Sequence, residues 1–205
     1  MELINTEEKI LQSARKIFIQ KGYDGTRMQE IADGADINKA MLHYYFRSKD
    51  LLYERVFIDY MRKIVPNMNS ILENNTLSIF QKIERIISSY IDFLVENPEL
   101  PSFIIGEVSK RPDFLIKTFQ KEENRLIMPF VPLLLIDIEK NIQDGTIKQV
   151  NPVHLIVNLM SMCVFPFAAK PMMSIMLKMT DADFHEFIQH RKIEISSFIH
   201  QAIAL

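Results

Sequence analysis

The chain has a single cysteine, Cys163, and only five glycines in 205 residues. One thiol excludes an intrachain disulfide framework and favours a reduced, cytoplasmic setting. So few glycines leave little material for the many tight turns of an all-β fold, which favours helices. A long clean apolar run is also missing. The most apolar stretch, Val153 to Ala169, carries His154, Asn158, Ser161 and Pro166. It falls short of the ~20 apolar residues that a spanning helix needs. The N-terminal residues show neither a basic nor an apolar signal region, so no signal peptide and no membrane span are expected. Strong net charge is absent too. The formal total is −2 and the sequence pI ≈ 6.2, which taken as an average argues against a nucleic-acid partner.

What remains is an ordinary globular composition, 48% hydrophobic and 24% charged, in a chain long enough to bury a core. The abundant Ile would suit strands by propensity, but the periodicity is helical. Ile83, Ile86, Ile87, Tyr90, Ile91 and Leu94 step along one helix face. Tyr53, Val56, Phe57, Tyr60, Met61 and Ile64 repeat the pattern, as do Phe184, Ile188, Ile195, Phe198, Ile199 and Ala202.

Start and stop signals divide the chain. Thr6 is expected to cap a first helix with inner face Ile10, Leu11, Ala14, Ile17 and Phe18, and Gly22 suits its C′ position. Thr26 with Gln29 reads as a capping box for a short helix ending near Ala35. Asn38 caps the next, about Lys39 to Phe46, and Ser48 a longer one expected to stop near Val65, before Pro66. Asn97-Pro98, Asp144-Gly145, Asn151-Pro152 and Lys170-Pro171 mark further breaks. Pro129 and Pro132 are expected to kink or split the stretch from Leu126 to Ile142. The expectation is an all-α fold of nine or ten helices.

Gly22 to Leu52 is the informative segment. Two short helices joined by Asp36-Ile37-Asn38 turn Met28, Ile31, Ala32, Ala35, Leu42 and Phe46 inward against Ile10, Ala14 and Phe18. This is a helix-turn-helix whose second helix is free to enter a major groove. Opposite Leu42 lie Ala40 and Tyr44, flanked by Met41 and His43, with Lys39 at the helix start. Residues 9 to 49 hold eight bases, Arg27 among them, against four acids, a net +4. The average charge therefore conceals a basic segment of the kind that phosphate contact requires. The alternative for this segment is a small core with a solvated basic face.

Gly22-x-x-x-Thr26, Ile31-Ala32, Ile37 and Leu42-x-x-Tyr45-Phe46-x-x-Lys49-x-x-Leu52 resemble the signature of the tetracycline-repressor (TetR/AcrR) family of bacterial transcription regulators. The resemblance covers about the first quarter of the chain. It departs from the family pattern at Asp36, Asn38, Ala40 and His43. It implies that residues 1–48 form a three-helix DNA-binding domain and 49–205 a larger helical bundle for ligand binding and dimerisation. Thr26 and Lys49 would bond phosphates, while Lys39, Ala40 and Met41 would face base edges. His43 and Tyr44 would contact backbone or base rims, and Tyr45 would divide itself between packing and phosphate. Arg27 and Asn38 complete the expected DNA-contacting set. The implied function is a ligand-responsive repressor of an operator in double-stranded DNA.

Two tasks are expected of the remainder. The helices around 151–169 and 181–205 are apolar on more than one face, which calls for a partner or for burial within one subunit. The resemblance places a homodimer there, through Leu155, Leu159, Cys163, Phe184, Ile188, Ile195, Phe198 and Ile199. An apolar effector cavity would be walled by Ile87, Tyr90, Ile91, Leu94, Leu126, Phe130, Met160, Met162 and Phe165, with Arg125 and Glu107 as candidate polar anchors. Each of these also suits plain core. The effector itself is not identified by the residues.

Enzyme motifs are not found. His185-Glu186 with His190 nearly matches a zinc-protease pattern, but the second His position is Gln189. Cys163 sits in an apolar run and reads as a buried thiol. No metal, cofactor or catalytic residue is expected. The rival reading is a helical small-molecule-binding protein or enzyme that keeps a vestigial helix-turn-helix.

Overall fold

The computed structural model describes residues 5–121 and 130–205. Among them are eleven helices and no strand: α1 (Thr6–Gly25), α2 (Met28–Gly34), α3 (Lys39–Tyr45), α4 (Lys49–Glu73), α5 (Ile79–Glu96), α6 (Leu100–Lys110), α7 (Pro112–Gln120), α8 (Phe130–Gln143), α9 (Pro152–Ala168), α10 (Lys170–Met176) and α11 (Asp181–Ile203). The chain forms two compact units. The first takes Met1–Lys63 with Phe103–Ile127, the second Ile64–Ser102 with Met128–Leu205.

In the first unit, Ile10, Leu11, Ala14 and Phe18 of α1 are buried together with Ile31 and Ala32 of α2. Asn5, not Thr6, caps α1: its side chain accepts the Glu8 N–H at 2.8 Å. The helical backbone is interrupted at Gly22, whose φ of 68° is the left-handed region glycine favours. Charges staple α1 to α4. Arg15 pairs with Glu8 and Asp59, both at 3.1 Å, and Arg55 pairs with Asp59 at 3.0 Å and Glu7 at 3.4 Å.

The expected stop before Pro66 does not occur, and α4 continues to Glu73. Proline inside a helix costs roughly 3 kcal/mol. Beyond it, Met68, Ile71 and Leu72 are buried, at roughly 1.5–3 kcal/mol for each full burial. Continuing the apolar stripe outweighs the missing bond.

In the second unit, α5 packs on α9 and α11, and α8 packs on α5 and α9. Ile83, Ile86, Ile87, Ile91 and Leu94 form the inner stripe of α5 as the periodicity predicts, with Tyr90 half-buried at its edge. Lys82 of α5 is buried and donates to Asp137 of α8 at 2.8 Å, so its charge is matched. Asn97 and Asn151 lie at helix boundaries and Gly145 turns at φ 65°, all as expected. No single helix among the described residues is long and apolar enough to cross a membrane, and α9 and α10 are bent by 71°.

The expected dimer residues need correction. Leu155, Leu159, Cys163, Phe184, Ile188, Ile195 and Ile199 are all buried within this one chain. Phe198 alone faces outward, at 62% exposure, and Ile203 takes its place in the inner stripe of α11. Outward apolar side chains include Val153, Val157 and Phe165 on α9, Met172, Ile175 and Met176 on α10, and Ile193 on α11. The cause is composition. On a helix that is apolar all round, periodicity cannot say which apolar face turns inward.

Candidate nucleic-acid interface

The corner between α2 and α3 is made by backbone. Ala35 N–H donates to Ile31 O, and Ile37 N–H donates to Ala32 O, both at 3.0 Å. Asp36 adopts φ 56°, the left-handed conformation that its short polar side chain tolerates. Asn38 then caps α3, its side chain accepting the Met41 N–H at 2.8 Å. Only one α3 residue, Leu42, is buried, and Phe46 closes the core just beyond.

Everything else on α3 is outward. Lys39, Ala40, Met41, His43, Tyr44 and Tyr45 are exposed. Tyr44 is 83% exposed and Tyr45 41%, with their rings edge to face at 5.5 Å. Arg27 is exposed at the start of α2, where its N–H donates to Glu30. The expected cap at Thr26 and Gln29 is thus replaced by Arg27 and Glu30. Lys21 bonds the same Glu30 carboxylate at 2.6 Å and holds it below the usual carboxylate range.

Two expected phosphate contacts sit differently. Thr26 is buried, and its hydroxyl donates to Gly22 O at 2.7 Å, so its proton is not offered to solvent. Lys49 donates to Tyr23 O at 2.7 Å and Thr26 O at 2.9 Å, and its ammonium lies 4.1 Å from the Tyr23 ring centroid. Both residues tie the α1–α2 connection to the start of α4.

Around that tie is a cluster that sequence reasoning missed. The Tyr23 hydroxyl donates to Asp50 at 2.7 Å. Arg111, between α6 and α7, pairs with the same Asp50 oxygen at 3.1 Å and stacks 3.5 Å from the Tyr23 centroid. Glu107 of α6 accepts the Tyr23 N–H at 3.3 Å. The Tyr23 hydroxyl bond, helped by Arg111, holds Asp50 below its ordinary range. Burial, with the Glu107 charge, pushes the Tyr53 phenol well up. A methyl added at Gly22 would lie 2.8 Å from Glu107 Oε1, so a side chain there would displace the carboxylate from its place, and the φ itself favours glycine. No local signal announces these partners, because Tyr23 lies 27 positions from Asp50, 84 from Glu107 and 88 from Arg111.

The expected cavity walls are partly reassigned. Ile87, Ile91, Leu94 and Phe130 are buried, while Met160 and Met162 are half-buried like Tyr90. Burial raises the Tyr90 phenol to about 12. Phe165 is 55% exposed on the outer side of α9 and walls no interior space. Glu107 is engaged with Tyr23 rather than free as an anchor. Leu126 and Arg125 lie outside the described residues. His185, Glu186 and His190 are exposed, and no cluster of three metal-ligating side chains occurs among the described residues.

The profile of bacterial regulatory proteins, tetR family, matches residues 10–56, from within α1 into α4. IcaR, the HTH-type negative transcriptional regulator of the biofilm operon icaADBC of Staphylococcus aureus, is 31% identical over 150 residues, covering 65% of this chain and 80% of IcaR. The chain belongs to the TetR family. TetR-family likeness extends to YttP of Bacillus subtilis, a probable HTH-type transcriptional regulator 29% identical over 107 residues, where the match spans about half of each chain (52%). It extends also to the crystal structure of HlyIIR, a hemolysin II transcriptional regulator. That structure superposes with a TM-score of 0.62 at 25% identity, covering 93% of this chain and 97% of HlyIIR. TetR-family regulators bind DNA operators and act as dimers. The chain is a helix-turn-helix, DNA-binding transcriptional regulator.

Proposed function

We propose that this TetR-family regulator is a cytoplasmic repressor that binds double-stranded DNA as a homodimer and leaves it when a small, largely apolar effector binds. The carrying observation is the α3 surface. A seven-residue helix rests on one buried leucine and presents Lys39, Ala40, Met41, His43 and Tyr44 outward. Such a helix, seated in a major groove, offers a cation at its start and aromatic rims beyond it. Arg47, exposed just beyond α3, Arg27 and the third N–H of Lys49 are phosphate donors that flank it in the chain. The negative regulation in the name of IcaR supports the sign.

In this reading residues 1–48 read the operator, and 49–205 carry effector binding and dimerisation. The dimer forms through the outward residues Val153, Val157, Phe165 and Phe198, whose large apolar surface a monomer would leave in water. The protein has no catalytic role. Site selection from random duplexes with the purified protein tests the proposal. The expected product is a two-fold symmetric site whose half-sites lie about one helical turn apart or a multiple of it. No enrichment at low salt would overturn it.

A further inference from the structure

The structure assigns Arg111 as a positioning residue for operator binding. With Glu107 of α6 it forms a latch, from the last turn of α6 and the residue that follows, onto the corner that carries the DNA-reading helices. The assignment rests on the DNA-binding reading above and adds residues that lie well outside the matched segment 10–56.

The corner is where α1 ends, α2 begins and α4 starts. Its backbone turns at Gly22, and Lys49 ties the Tyr23 and Thr26 carbonyls together. Nothing within residues 10–56 holds the Tyr23 ring and the Tyr23 N–H at once. Arg111 and Glu107 supply both. The guanidinium of Arg111 stacks on the ring while bonding Asp50, the partner of the Tyr23 hydroxyl. The Glu107 carboxylate takes the N–H. Tyr53 completes the seat, with its ring 5.1 Å from Tyr23, 5.8 Å from Phe103 and 5.0 Å from Phe114. A planar, delocalised cation that bonds a carboxylate while lying on an aromatic face is a role an ammonium fills poorly. The Glu107 carboxylate comes so close to Gly22 that a side chain there would push it off the Tyr23 N–H. Moreover, the α6 and α7 residues from Phe103 onward cluster with the first unit.

A latch of this kind fixes orientation without touching DNA, and that separates it from a phosphate contact. Removing a phosphate contact lowers the slope of log K against log salt by about 1, whereas loosening a latch weakens binding at an unchanged slope. The test titrates the selected operator with Arg111→Ala, Arg111→Lys, Tyr23→Leu and the double variant Arg111→Ala/Tyr23→Leu across a salt series. Affinity is expressed per folded protein, after each variant's melting curve is recorded. Arg111→Ala should weaken binding at least tenfold with the wild-type slope, and Arg111→Lys should restore only part of it. The double variant should be no worse than the poorer single one, because both remove one contact. Unchanged affinity for Arg111→Ala, a slope lowered by about 1, or additive losses would each overturn the assignment. If Arg111→Ala does not fold, Arg111→Lys and Tyr23→Phe carry the same comparison. Absence of wild-type binding is a failure of the function reading, and it appears in the site selection before any variant is made.

Discussion

The outer faces of α3 and α9 show how differently two helices of one chain treat solvent. On α3 the outward side chains are a cation, an imidazole and two phenols around small or flexible neighbours, over a single buried leucine. On α9 they include Val153, Val157 and Phe165, and α10 continues with Met172, Ile175 and Met176. The first surface suits a charged, hydrated duplex, and the second is stable only where water is excluded. Formal charge divides the same way, +2 over the residues of the first unit and −4 over those of the second. The comparison teaches that a near-neutral chain can hold one surface with the polarity that a duplex calls for and another that is apolar, and that average charge reports neither.

The largest expected effect comes from charging the α9 face. Val157→Asp with Phe165→Asp should convert the dimer to monomer by sedimentation, with helicity retained because both positions are exposed. Operator affinity should fall by two or more orders of magnitude as one half-site is lost. A dimer that survives would remove this face from the interface. By contrast Leu159→Asp, two residues along but buried, should unfold the protein. Next in size is Leu42→Ala, which deletes the one buried side chain of α3. It should cost about 2–5 kcal/mol in denaturant unfolding. A loss below 1 kcal/mol would show that the recognition helix is not seated through it. Smaller again is Lys39→Ala, with unfolding unchanged and about 1–3 kcal/mol lost at one base step of the selected site. A uniform loss across sequences would move Lys39 from base edge to backbone.

How much of this was legible follows from the same contrast. The α3 face was readable because a short helix with one clear apolar side leaves no choice of orientation, and Asn38 and Asp36 carry local signals for cap and corner. The α9 and α11 faces were not. Leu155 and Val157 are both apolar, and only the packing of α5 and α8 decides that the first goes in. Thr26 and Lys49 were placed by motif, but their hydroxyl and ammonium serve the backbone of their own corner. Arg111 and Glu107 were invisible as partners of Tyr23, since contacts across such sequence distances leave no periodicity. The passage of α4 through Pro66 was misread because proline was weighed without the buried stripe beyond it.

The smallest effect, absent at neutral pH, tests the buried side of α9. Burial raises the Cys163 thiol from an ordinary value of 9.0 to about 12, and the Tyr90 phenol from 10.0 to about 12. A group whose folded pKa is raised keeps its proton in the native state while the unfolded chain has already released it. Stability is therefore full below pH 9 and declines as pH climbs toward 12, with Cys163 contributing a slope of at most about 1.4 kcal/mol per pH unit. Cys163→Ala removes that contribution while leaving every other titrating group in place. The stability difference between wild type and variant should be constant from pH 7 to 8.5 and should shrink above 9 as the wild type loses its advantage. Denaturant unfolding with reductant present measures it. A difference that stays flat to pH 11 would mean that the thiol is solvated in the native state, and the inward face assigned to α9 would have to be redrawn.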